Sequence, residues 1–260
     1  MSEEEVRSSS SSSNSNSNSN KRKVVQGLCG WSCASLVKCR RFFPPLTPAA
    51  SSADKLSFLS RGGGLGCVEV NSSTYAVPAP AAVAAWVGAT APGFTFHFKA
   101  FGLLCGSSAA GRALPQALRA EHGLRAEGSY SLDSLPAAAR AALWRQFNAC
   151  LEPAVLAGKM GAVVFQFHLS FLPSDANRAF VEACARELRQ DVDMVVEFRN
   201  RSWLLAEESG EGEGEGEGEG EGEGGVVGLR SFDRIGQGSG AGAGRRLREA
   251  CAWLRSLRAA

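Results

Sequence analysis

Five short apolar segments alternate with helical patterns along the chain, and this alternation limits the fold more than any other feature. Strands are predicted at 24–29, 67–70, 94–100, 161–168 and 193–199. Helices are predicted at 53–60, 80–90, 114–122, 136–157 and 174–189, with Ser174 as the N-cap of the last. Because a helix separates each strand from the next, the chain recrosses the sheet every time and the strands must run parallel.

The predicted strands also alternate between apolar and polar residues, which is unusual for strands buried between two helical layers. In 94–100, Phe94, Phe96 and Phe98 share one face, while His97 and Lys99 share the other. Both facts are satisfied if the apolar faces meet the helices and the polar faces line a barrel. The sequence therefore predicts an α/β, TIM-barrel-like (β/α) fold with about five or six of the eight βα units of a complete barrel.

Polar residues concentrate near the carboxyl ends of these strands, where (β/α) barrels carry their active sites. In "VVEFRNRSW", Glu197 and Arg199 share one face of a strand that begins with two valines. Glu69, Lys99 and Gln166 hold similar positions on three other strands. We expect the side chains of these residues to converge on one cavity.

Two low-complexity tracts divide the chain. The Ser/Asn-rich start and the Gly-Glu repeat cannot bury enough apolar surface to fold. We predict a disordered tail at 1–23, the partial barrel domain at 24–205 and a linker at 206–225. The remainder, 226–260, contains a candidate strand at 226–232 and a basic amphipathic helix at 245–258.

Composition narrows the class of ligand and the compartment. Residues 24–205 carry 17 Lys/Arg against 12 Asp/Glu, a modest positive charge that suits an anionic ligand. No run of about 18 apolar residues is present, and the acidic start does not match a signal peptide, so we expect a cytoplasmic protein without membrane contact.

The eight cysteines fit no usual zinc or iron–sulfur spacing. We therefore expect reduced thiols and no cysteine-bound metal, and the sequence identifies no cofactor. A weaker alternative is a divalent metal shared by two carboxylates on neighbouring strands with a histidine.

Five segments, taken together and in order, resemble the YecE-like family, also called domain of unknown function 72. They are "GLCGW", "CVEVNSSTYAVP", "FTFHFKA", "MGAVVFQFHLSF" and "VVEFRNRSW". The resemblance covers residues 24 to about 205, and it implies a TIM-barrel-like fold with no established reaction. By position, the family's rim residues correspond to Gly30, Trp31, Glu69, Asn71, Ser72, Tyr75, Lys99, Gln166, Glu197, Arg199 and Trp203.

The chain departs from this family in two places. "QFHLSF" replaces the family's usual "QLPPSF", so His168 is not expected to have a family function. The family's later motifs, one like Arg–Leu–His–Gly and one rich in Asn, do not follow Trp203. Because these later motifs are missing, we expect the barrel to stay open beyond 195–199.

The first functional hypothesis is an enzyme acting at the rim. Lys99 and Arg199 would bind a phosphate or carboxylate group of the substrate. Glu69 or Glu197 would act as general base, so the predicted catalytic residues are Glu69, Lys99 and Glu197. The residues predicted to contact substrate are Trp31, Asn71, Tyr75, Gln166, Arg199 and Trp203.

Two further hypotheses come from other classes. The positive charge and the aromatic residues Trp31, Tyr75 and Trp203 would also suit a nucleic-acid-binding protein related to barrel endonucleases. Alternatively, the chain is a degenerate family member without catalysis.

An open barrel leads to a prediction about stability. Five or six strands leave unpaired sheet edges, and the inward residues Val164 and Val195 would be exposed. We expect the chain, expressed alone, to be poorly stable, oligomeric or part of a longer product. Thermal unfolding combined with light scattering checks this, and a strict monomer that unfolds cooperatively well above about 60 °C would contradict it.

Overall fold

The computed structural model describes residues 24–39, 42–43, 50–203 and 225–228. Its strands are β1 (Gly27–Cys29), β2 (Cys67–Val70), β3 (Thr95–Lys99), β4 (Ala109–Ala110), β5 (Ser129–Tyr130), β6 (Met160–Phe167), β7 (Asp193–Phe198) and β8 (Gly225–Gly228). Its α-helices are α1 (Ala34–Lys38), α2 (Ser52–Arg61), α3 (Pro80–Ala89), α4 (Gln116–His122), α5 (Ala137–Leu156) and α6 (Asp175–Glu187). All five predicted strands and all five predicted helices form, with ends that differ by up to three residues. The short helix α1 and the small β4–β5 pair were not predicted.

Six strands form one sheet in the order β1-β2-β3-β6-β7-β8. The first five run parallel, which confirms the α/β prediction, and α-helices connect them. The described strands do not close into a barrel, because β1 and β8 lie at the two ends of the strand order.

The sixth strand differs from its prediction. Strand β8 covers only the start of the candidate segment at 226–232, and it pairs antiparallel to β7. An antiparallel neighbour needs no crossover helix, so it does not extend the βα pattern. The predicted tail at 1–23, most of the predicted linker and the predicted helix at 245–258 lie outside the described residues.

One face of the sheet is buried and the other is partly open. Phe94, Phe96 and Phe98 are buried in a core that also contains Val83 of α3 and Phe147 of α5. The alternate residues of β2, β3 and β7 are only half-buried. The apolar face therefore packs on helices, as the alternation in sequence predicts.

Val164 does not fit the prediction that an open barrel exposes it. It is only 9% exposed, and Val195 is half-buried. In register, Val164 lies between Lys99 of β3 and Val195 of β7. These flanking side chains shield it from water.

The ends of two helices are fixed by side chains. The hydroxyl of Ser174 accepts a hydrogen bond from the Asn177 amide at 3.1 Å, which confirms the predicted N-cap of α6. The ammonium of Lys159 donates to the carbonyls of Val87 and Thr90, both at 2.8 Å, at the end of α3. Lys159 precedes β6 directly, so this contact positions the start of that strand against α3.

No helix in the described ranges is long and apolar enough to cross a membrane.

A β-bulge interrupts the pairing of β3 with β6. Phe96 pairs with Met160 and Phe98 with Val163, so two steps along β3 oppose three along β6. Within the bulge, the Ala162 amide donates a hydrogen bond of 3.1 Å to Nδ1 of His97. The ring has room because the neighbouring residue is Gly161, where a Cβ atom would lie 2.6 Å from Nδ1.

Gly161→Ala is therefore expected to lower the free energy of unfolding by about 1–3 kcal/mol, because the new methyl group overlaps the His97 ring. Gly88→Ala is the matched control, since Gly88 lies in α3 with nothing within 4 Å of the added Cβ. The control should be neutral or stabilising by up to about 1 kcal/mol. Urea denaturation measures both variants, and equal stabilities would contradict the packing of His97 over the bulge.

Candidate active site at the polar face

The strand register places the polar residues side by side. Cys29, Glu69 and His97 are neighbours across β1, β2 and β3. On the next two strands of the sheet, Gln166 of β6 is the neighbour of Glu197 of β7. Because residues paired across a sheet point to the same face, these side chains all project from the half-buried face near the carboxyl ends of the strands.

Lys99 and Glu69 form an ion pair on this face. The Lys99 ammonium lies 3.7 Å from Oε1 of Glu69, and the two side chains are 18% and 20% exposed. That separation is too long for a hydrogen bond, so electrostatic attraction links the two groups. Both remain within reach of a ligand that enters from solvent.

Glu197 is held by a different partner. The side-chain amide of Gln166 donates a hydrogen bond of 2.6 Å to Oε1 of Glu197. This bond occupies one carboxylate oxygen and fixes the plane of the group. Gln166 thus orients an acidic side chain, whereas the sequence predicts only that it contacts substrate.

The thiol of Cys29 links the two halves of the row. Burial and then the negative charge of Glu69 raise its pKa, and the hydrogen bond to Glu69 and the charge of Glu197 raise it further, while Lys99 lowers it. The charges that act on this thiol come from strands on both sides of β3, since Glu69 belongs to β2 and Glu197 to β7.

Sequence reasoning missed Cys29 and Ser73. Cys29 ends β1 just as Lys99 ends β3, and this shared position was the available signal. Ser73 is fully buried, and its hydroxyl lies 2.6 Å from the carbonyl oxygens of both Val70 and Lys99. It joins the ends of β2 and β3, which sets the distance between Glu69 and Lys99.

His97 is a neutral interior residue. Burial lowers its pKa below the ordinary value of 6.5, and Nδ1 accepts the hydrogen bond from the Ala162 amide. The proton of the neutral ring therefore resides on Nε2. His97 therefore has a structural role, which is to support the bulge.

Two cavities open at the carboxyl ends of the strands. The larger, which we call the tryptophan cavity, has a volume of about 340 Å³ and is lined by Trp31, Trp86, Asn71 and Cys29 among others. The smaller, which we call the arginine cavity, has a volume of about 120 Å³ and is lined by Arg199, His168, Gln166 and Thr74 among others. The 3₁₀ turn Asn71–Thr74 contributes residues to both, so it separates them.

The predicted aromatic contacts are distributed unevenly. Trp31 lines the tryptophan cavity although it is only 4% exposed. Tyr75 is 76% exposed and is not among the residues that line either cavity. Trp203 is 3% exposed, stacks on Phe198 at 4.1 Å and donates from Nε1 to the Phe171 carbonyl at 2.6 Å. Because Phe198 belongs to the buried face, the structure does not bring Trp203 to the polar face.

The predicted polar residues do not all line one of these two cavities. Asn71 lines the tryptophan cavity, and Gln166 and Arg199 line the arginine cavity. Glu69, Lys99 and Glu197 line neither, so their expected convergence with Gln166 on one cavity stays a prediction. His168, which the departure from the family pattern had set aside, lines the arginine cavity. Within the described ranges, no group of three or more His, Cys, Asp or Glu residues could hold a metal ion.

Comparison with known proteins gives one family. A family profile described as "Protein of unknown function DUF72" matches residues 25–211. No curated protein matches the chain. Among solved structures, a DUF72 family protein from Enterococcus faecalis is 20% identical, with a TM-score of 0.48 over 70% of this chain and 52% of that chain. A DUF72 family protein from Thermotoga maritima is also 20% identical, with a TM-score of 0.46 over 70% of this chain and 58% of that chain. The chain thus spans little more than half the length of these proteins.

The buried neutral state of His97 predicts a pH dependence of stability. Its folded pKa lies below the unfolded value of about 6.5, so the unfolded chain binds a proton first as the pH falls. The free energy of unfolding should therefore be fully present above about pH 6.5 and decrease below it, until the pH passes the folded pKa. His97→Gln removes this contribution, and urea denaturation between about pH 7.5 and 5.5 should show a smaller loss for the variant than for the wild type. Equal losses would mean that His97 titrates normally in the folded protein.

Proposed function

The chain belongs to the DUF72 family, and we propose that it is an enzyme with a (β/α)-barrel type of site that binds an anionic small molecule. The site lies at the carboxyl ends of the parallel strands. The observation that carries the proposal is the Lys99–Glu69 ion pair on the polar face of the sheet, which also holds Glu197. The anionic group of the substrate is a phosphate or a carboxylate.

The proposed chemistry is general acid–base catalysis. Glu69 acts as base on a proton of the substrate, and the adjacent Lys99 ammonium stabilises the negative charge that develops when the proton leaves. Glu197, oriented by Gln166, is the second carboxylate and moves a proton at another atom of the substrate. One carboxylate removes a proton from an atom of the substrate, and the other, carrying a proton, delivers it to a second atom; Glu69 belongs to β2 and Glu197 to β7.

The tryptophan cavity suits the non-ionic part of the substrate. Its volume of about 340 Å³ lies within the range of about 300–1,000 Å³ typical of small-molecule pockets. Trp31 packs edge-to-face on Trp86 at 5.2 Å, which supplies an apolar wall beside Asn71. Cys29 lines this cavity and is the register neighbour of Glu69, so the cavity adjoins the proposed base.

Nucleic-acid binding is not favoured. Stacking on bases requires exposed aromatic rings. Of the three aromatic residues that suggested it, Trp31 and Trp203 are buried, and only Tyr75 presents its ring to solvent.

The first test is a thermal-shift screen with phosphorylated and carboxylated metabolites, followed by calorimetry of any ligand found. Lys99→Met should weaken binding of that ligand by about tenfold or more, because a charged contact is lost without a substitute. Lys38→Met is the matched control, since Lys38 is exposed on α1, and it should leave affinity unchanged. Equal affinities of wild type and Lys99→Met would remove Lys99 from the site. A screen without any ligand would instead favour a degenerate, non-catalytic member.

The second test concerns turnover of a substrate found in this way. Glu69→Gln and Glu197→Gln should each lower kcat by about 10²–10⁴-fold, the usual contribution of a positioned acid or base. Glu121→Gln, at an exposed position on α4, should have no effect. Circular dichroism shows whether the variants remain folded. Full activity in both site variants would refute acid–base catalysis by these carboxylates.

A further inference from the structure

We propose that the arginine cavity binds the phosphoryl group of a small phosphate monoester. This inference rests on the proposed function and names its substrate class. The cavity adjoins the Gln166–Glu197 pair but has no part in the acid–base chemistry described above. Its lining combines residues at the ends of β6 and β7 with the turn after β3.

The volume of the cavity limits what it can hold. About 120 Å³ is well below the 300 Å³ or so of a pocket for a whole metabolite, and it equals about four water molecules in the liquid. A single tetrahedral oxyanion fits this space. The rest of the ligand must therefore extend out of the cavity, toward Glu197.

Arg199 supplies the positive charge. Its side chain is exposed, and no ion pair with it occurs in the part of the chain that the structure describes. Lys99, in contrast, is already paired with Glu69. A guanidinium donates two parallel hydrogen bonds to an oxyanion, so Arg199 is better placed than Lys99 to bind the anionic group.

His168 supplies a second donor. The backbone amide of Ser170 donates to Nδ1 of His168 at 3.2 Å, and the Ser170 hydroxyl lies 3.0 Å from the same atom. Because Nδ1 accepts the amide hydrogen bond, the proton of the neutral ring is on Nε2. His168 therefore has an N–H donor on the ring edge opposite Ser170.

Ser107 supplies a hydroxyl. It follows the 3₁₀ turn Gly102–Cys105, is exposed, and lines the same cavity as Arg199 and His168. A hydroxyl group can donate a hydrogen bond to an oxygen of a bound anion.

The number of donors favours a phosphoryl group over a carboxylate. A planar carboxylate satisfies its two oxygens with one guanidinium. Arg199, His168 and Ser107 come from three different segments of the chain, and a tetrahedral group with three free oxygens can accept from all of them. A phosphate monoester bound in this way would direct its ester oxygen and carbon skeleton toward Glu197 and Lys99.

The experiment is calorimetric titration of the full chain with inorganic phosphate, and with acetate at the same ionic strength. The wild type should bind phosphate at least about tenfold more tightly than acetate. Arg199→Gln should weaken phosphate binding by about tenfold or more, and His168→Leu should weaken it by a smaller factor. Arg201→Gln is the matched control, because Arg201 is exposed two residues further on and does not line the cavity.

Each result has a defined meaning. Unchanged phosphate affinity in Arg199→Gln, or no phosphate binding by the wild type, overturns the assignment of the cavity. Acetate bound as tightly as phosphate overturns the phosphoryl group. Loss of phosphate binding in Lys99→Met, with unchanged binding in Arg199→Gln, would move the anion to Lys99. Phosphate binding that depends on Arg199, together with full turnover in the Glu69 and Glu197 variants, would support this inference while refuting the catalytic proposal.

Discussion

The buried hydroxyl of Ser73 determines the geometry of the polar face. It lies 2.6 Å from the carbonyl oxygens that end β2 and β3, at Val70 and Lys99. The single hydroxyl proton is donated to one of these carbonyls at a time, and its loss would cost about 1–3 kcal/mol for a carbonyl left unsatisfied. The same turn that carries Ser73 sends Asn71 to the tryptophan cavity and Thr74 to the arginine cavity. One short 3₁₀ segment thus fixes the ion pair and forms the boundary between two candidate subsites.

The two cavities differ in character. Tryptophan rings provide an apolar surface in one, whereas Arg199, His168 and Gln166 line the other. In the proposed function, such a pair of environments suits a ligand with one anionic end and one less polar end, because each end finds its own surroundings.

Much of this arrangement could be predicted from the sequence because it depends on period-two alternation. Alternation predicts Phe96 in the core and Lys99 on the polar face, and the structure agrees. Trp203 could not be placed, because it follows its strand in a turn where alternation no longer applies. The direction of β8 was equally inaccessible, since no helical pattern before it specified a crossover. His168 was set aside because it departs from the family pattern, and only the cavity shows what it lines.

The bulge in β6 changes the phase of that strand. At Met160 the pairing with Phe96 would assign residues 162, 164 and 166 to the core side, whereas the extra residue reassigns the core side to Val163, Phe165 and Phe167. Gln166 therefore reaches Glu197 only because β6 contains one residue more than β3 requires. Deleting a single residue near Gly161 would rotate the second half of the strand by one position, turning two phenylalanines toward water and a glutamine into the core. The length of this strand is thus as much a determinant of the polar face as the identity of any residue on it.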